Sequence, residues 1–220
     1  MIRMNGSAQR LPLTIWVGFG LFLLLLGLMY LLSLMEYGQA RRKVLPVLGQ
    51  VANFTLTNQD GAVTTLADLS NRVWVADIIF SRCAGSCPII STEMKSLQDG
   101  LPSPSRAKLV TLTTDPDYDA PDILKKYGER YGADFQRWTF LTGAKNELAG
   151  LAAGSLKLGS TPVAPSDRQS ADDLFVHSTI FVVVDKQTRL RGLFQTEGQD
   201  VDWAKVKPQI LATVKQLESD

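Results

Sequence analysis

Val73-Trp74-Val75-Ala76-Asp77-Ile78-Ile79-Phe80 runs without a break into Ser81-Arg82-Cys83-Ala84-Gly85-Ser86-Cys87-Pro88. The first eight residues are almost continuously apolar. That pattern predicts a strand covered on both faces. The next eight hold both cysteines of the chain, and a helix fits from Ile89 to about Leu97. Cysteines at i and i+4 can face one side of a first helical turn. The N-terminus of a helix offers unpaired N–H groups and positive potential, which stabilise a thiolate and lower a cysteine pKa. Arg82 adds to that field, and Pro88 is tolerated in an opening turn. The pair therefore reads as an oxidisable dithiol or as a two-thiolate metal clamp. A static disulfide is the structural alternative, but so short a loop gains little from closure.

The pattern continues outward from this strand. Asn53–Thr57 alternates, Asn58-Gln59-Asp60-Gly61 turns, and Val63–Leu66 resumes, which predicts a β-hairpin. Ala107–Thr113 predicts a second buried strand, Pro121–Tyr131 a helix, Trp138–Leu141 a short strand, and Glu147–Ala153 another helix. Phe175–Val184 and Leu190–Phe194 read as a second hairpin. Val206, Ile210, Val214 and Leu217 give the last helix its stripe. Ser155–Asp173 is rich in Gly, Pro and Ser and reads as a long loop near the site. Strands alternating with helices, with hairpins at both ends, predict an α/β domain: a mixed sheet with helices on both faces. Trp74, Trp138, Phe181 and Met94 are core candidates.

The 220 residues suit one domain plus an appendage. With 23 basic and 22 acidic side chains there is no general drive toward nucleic acid. Two cysteines exclude a disulfide-rich scaffold and a four-cysteine zinc site. The appendage is N-terminal. Leu11 to Met35 carries no charge, with Trp16 and Tyr30 toward its ends. About 20 apolar residues cross a bilayer, so residues 11–35 are expected to be an uncleaved anchor. Its length exceeds the usual apolar core of a cleaved signal peptide. The expected organisation is a short tail over 1–10, the anchor over 11–35, a tether over 36–47 and a domain over 48–220. Charges on the two sides of the anchor do not set its orientation.

His177 is the one histidine of the chain and stands at the start of a predicted strand, beside the long loop. Alone it would be a packing residue. With two cysteines it completes a donor set. Two thiolates favour Cu(I), and an imidazole accommodates Cu(II); zinc also accepts Cys₂His with an open position. Asp115, Asp117 and Asp119 read as a solvated turn and helix cap before Pro121 rather than as a site for a hard cation.

Three segments together resemble the SCO/SenC family. Cys83-Ala84-Gly85-Ser86-Cys87-Pro88 looks like its Cys-x-x-x-Cys-Pro. Thr114–Pro121 looks like its Asp-Pro-x-x-Asp-x-Pro segment. Val176-His177-Ser178, followed by an apolar strand and Asp185, looks like its His-Ser strand. Their order holds over roughly residues 48–215. One position departs: Val176 stands where the family often carries Asp. The resemblance implies a thioredoxin-like fold behind a membrane anchor, with copper held by Cys83, Cys87 and His177. It also implies a metallochaperone that delivers copper to the binuclear copper centre of cytochrome c oxidase. The partner would then be the oxidase subunit carrying that centre, with other copper chaperones or thiol reductants upstream. The soluble domain would lie outside the cytoplasm, in a periplasm or the mitochondrial intermembrane space. The alternative is a thiol–disulfide oxidoreductase in which Cys83 and Cys87 are catalytic and His177 is dispensable. A peroxidase is disfavoured, because the Pro-x-x-x-Thr-x-x-Cys pattern is missing around Cys83.

Overall fold

The structure is a computed structural model that describes residues 13–40, 44–164, 166 and 175–220. The expected tail, Leu11 and Pro12, the basic residues 41–43, and residues 165 and 167–173 of the expected loop lie outside the described residues. Leu13–Ala40 forms one helix, α1. Its Thr14–Ser33 segment has a mean hydropathy of 2.4 and, by length and composition, is able to cross a membrane.

Leu45–Asp220 forms a separate compact unit. Its strands are β1 (Gly49–Gln50), β2 (Thr55–Asn58), β3 (Val63–Thr65), β4 (Trp74–Ile79), β5 (Lys108–Thr113), β6 (Trp138–Thr142), β7 (Ser160–Pro162), β8 (Phe175–His177), β9 (Ile180–Val184) and β10 (Arg189–Gln195). Its helices are α2 (Leu66–Leu69), α3 (Cys87–Gly100), α4 (Pro121–Arg130), α5 (Lys145–Ala149) and α6 (Trp203–Ser219), and a π-helical turn over Gly150–Leu156 extends α5.

Eight strands form one mixed sheet in the order β1-β10-β9-β4-β5-β6-β2-β3. β4, β5 and β6 run parallel, and β9 lies antiparallel against β4. β4 is central because both its faces are apolar. Val73, Val75 and Ile79 join the core under α3, α4 and α6. Trp74, Ala76 and Ile78 join the core on the other face, with Leu148, Leu151 and Leu156 from α5 and the π-helical turn. Trp74, Trp138, Phe181 and Met94 are all fully buried, as expected. The β2–β3 hairpin turns as read from the sequence: Asn58 and Ala62 close it by a 2.8 Å bond, and Gly61 takes φ +77°.

The expected strand Phe175–Val184 is in fact two strands in two sheets. β9 joins the main sheet, whereas β8 pairs with β7 in a separate two-stranded ribbon. The expected loop over Ser155–Asp173 contains the end of the π-helical turn and β7. The tether's last residues are tied down: the Arg191 guanidinium donates to the Leu45 and Pro46 carbonyls at 2.8 and 3.0 Å, while ion-pairing with buried Asp185 at 2.6 Å.

Candidate functional site

β4 ends at Ile79, and the chain turns at once: the Cys83 N–H donates to the Phe80 carbonyl at 3.2 Å. Helix α3 then begins at Cys87, two residues earlier than its apolar pattern suggests, with Pro88 in its opening turn. Only Cys87 is helical, so the two cysteines do not share a helical turn; Cys83 lies in the loop that feeds it. The side chains nevertheless meet, and hydrogen bonding from Cys83 joins burial and the nearby charge of Asp77 in pushing the Cys87 thiol far up. The expected acidification by the helix terminus is therefore reversed at Cys87. Cys87 is fully buried, whereas Cys83 is partly exposed.

A second loop, between β5 and α4, braces the first. Asp119 is completely buried. Its carboxylate accepts from the Ser81 N–H at 3.1 Å, from the Ser81 hydroxyl and from the Thr113 hydroxyl. Burial raises its pKa in spite of those bonds. Asp115 ion-pairs with Arg82 at 2.5 Å. The same guanidinium lies 4.1 Å over the Tyr118 ring, and the bond to Asp115 holds its pKa up. Thus Ser81 and Arg82, immediately before Cys83, are anchored to residues more than thirty positions away. The reading of these aspartates as a solvated turn and cap fails at two of three positions. Asp117 is exposed, with a 4.0 Å pair to Lys145, but Asp115 and Asp119 face the dithiol loop. Nor is any of them the cap of α4, whose N-cap residue is Ala120. The motif marked the segment; burial, which decides its role, left no local signal.

On α3, Ser91 and the buried Tyr127 hydroxyl share a 2.7 Å hydrogen bond that packs α4 beside the cysteine turn. Two turns beyond Cys87, the Glu93 carboxyl is buried, and its Oε2 has no hydrogen-bond partner among the described residues. Burial, then the charge of Glu197, push it up to about 7.

His177 is the last residue of β8, where it stands in register with Ser160 of β7. The next residue, Ser178, donates its N–H to the Gly159 carbonyl at 2.8 Å. The His177 side chain lies outside what the structure describes. The backbone placement is informative all the same. β9 pairs Trp74 with Val184 and Ala76 with Val182. The chain leading into β9 therefore lies toward the C-terminal end of β4, the end from which the cysteine loop emerges. Among the described side chains, no third His, Cys, Asp or Glu joins the two thiols.

The model of the SCO1/SenC family matches residues 48–211. The chain belongs to the SCO1/SenC family. A SCO1 protein homolog of Bacillus subtilis is 33% identical over 141 residues, which cover 63% of this chain and 70% of that protein. Among solved structures, BsSco, a member of the Sco family of cytochrome c oxidase assembly proteins in which a disulfide switch was identified, is 28% identical. It superposes with a TM-score of 0.65, covering 80% of this chain and 98% of that one. Yeast Sco1 with copper bound is 23% identical, with a TM-score of 0.62 over 77% of this chain and 90% of that one. The fold is the thioredoxin-like one of Sco proteins, a mixed sheet flanked by helices. In this SCO1/SenC domain, two thiols in contact suit two chemistries: clamping a soft cation between sulfurs, or losing two electrons to form a disulfide.

Proposed function

We propose that this protein is a membrane-anchored copper metallochaperone that delivers its cargo to the binuclear copper centre of cytochrome c oxidase. Cys83 and Cys87 supply two thiolates and His177 the third ligand. α1 anchors the chain, and the unit from Leu45 onward works outside the cytoplasm. One observation carries the reading: the Cys83 and Cys87 side chains meet at the end of the central strand, in a loop braced by Asp119 and by the Arg82–Asp115 pair. Family membership, and the arrival of the His177 strand at the same end of the sheet, support it. The donor set fits the cargo: sulfur holds Cu(I), and imidazole extends the site to Cu(II).

A second reading is favoured by the same contact. Two reduced sulfurs this close, one partly exposed, are those of a thiol–disulfide oxidoreductase that keeps the oxidase's copper-site cysteines reduced. His177→Ala separates the two. It should spare Cu(I) binding, which two thiolates satisfy, weaken Cu(II) binding and remove strong thiolate-to-Cu(II) absorption. Disulfide exchange should survive, because imidazole is no party to it. Loss of oxidase maturation in cells carrying His177→Ala, with exchange intact in the purified protein, establishes the chaperone. Unimpaired maturation overturns it in favour of the reductase.

A further inference from the structure

A cavity of about 170 Å³ lies on the sheet face opposite the dithiol, where the C-terminal ends of β4 and β5 meet α5 and its π-helical extension. Its walls are Ile78, Leu148 and Leu158, with Ala149, Ala152 and Ala153 leaving the space open. Apolar cavities of about 150 Å³ admit a benzene ring, so this one accommodates a ring-sized apolar body.

One hydrogen-bond donor reaches it. Lys145 lines the cavity, and its side chain is 64% exposed, so the ammonium stands where the cavity meets solvent. Its contact with Asp117, at 4.0 Å and exposed on both sides, holds it weakly. An apolar body with one acceptor-rich, negative end matches this lining.

We propose that the cavity is a binding site for small carboxylates with a compact, ring-sized apolar body. The carboxylate takes the Lys145 ammonium, and the body lies among the alanines and leucines. Asp117 competes for Lys145, so ligand binding breaks that pair.

The test uses the full chain in lipid nanodiscs, titrated with benzoate by calorimetry against empty nanodiscs. One saturable site is expected. Ala153→Leu, at an exposed wall position, should weaken benzoate at least about tenfold, with Ala149→Leu as its substitute should it not fold. Lys145→Met should weaken benzoate but leave benzyl alcohol unchanged, and Asp117→Asn should strengthen benzoate. Absence of saturable binding overturns the proposal. So does unchanged affinity in both leucine variants, or in Lys145→Met.

Discussion

The carboxyl group of Asp119 receives three hydrogen bonds, two from Ser81 in the dithiol loop and one from Thr113 at the end of β5, while wholly enclosed. Asp119→Ala would strand the Ser81 amide and two hydroxyls. We expect a loss of about 2–4 kcal/mol in unfolding free energy, measured by urea denaturation, and a changed dithiol–disulfide potential, since the turn before Cys83 loses its support. A wild-type potential in the folded variant would show that the brace serves stability alone. Glu93 gives a pH signature. Its carboxyl titrates at about 7 in the folded protein against an ordinary 4.5. Between those values the folded state holds a proton that the unfolded chain has released. Stability from this group is therefore full below about 4.5, falls as pH rises through the window, and stays low above 7. Glu93→Gln should gain roughly 1–3 kcal/mol over the wild type at pH 8 and converge with it near pH 4. A pH-independent difference would contradict the assignment.

Helix α4 lies so close to β6 that only a hydrogen fits at Gly128. A Cβ there would come within 2.7 Å of Phe140 and 2.8 Å of Phe135. Alanine normally strengthens a helix interior by about 1 kcal/mol, but here overpacking should win, with a net loss of about 1–3 kcal/mol in thermal or urea unfolding. A more stable Gly128→Ala protein would mean that the rings yield. Elements with long apolar runs or clear periods were legible in the sequence: β4, β5, the β2–β3 hairpin, α4 and α6. Others were not. β1 has two residues, too few for a period. The break between β8 and β9 is invisible because Val176-His177-Ser178-Thr179-Ile180 is β-prone throughout; the pairing of Ser160 with His177 divides it, and that partner is distant in the chain. Of the candidate ligands, Cys83 and Cys87 stand out in the sequence by spacing and His177 by motif. Arg82, Asp115 and Asp119 act through contacts across thirty or more positions, which no local pattern carries. The expected acidification of at least one thiol does not hold at Cys87, where the Cys83 contact and burial outweigh the helix terminus.

Taken whole, the molecule is an apolar N-terminal helix followed by a domain with its own two cores. A reporter fused after Asp220 should be active outside the cytoplasm, and the mature protein should retain its own N-terminus when analysed by mass spectrometry. Cytoplasmic activity would refute the orientation, and a start near residue 41 would refute the anchor. The two sulfurs, meanwhile, differ in a way that gives the domain a front and a back. Cys87 is sealed against the core and Cys83 looks outward, so a visitor meets the pair one sulfur at a time. On the proposed function, a transfer opens at Cys83 and is completed by Cys87 from behind it. Traffic through the pair would then be sequential, and a partner would need to present only a single sulfur to begin it.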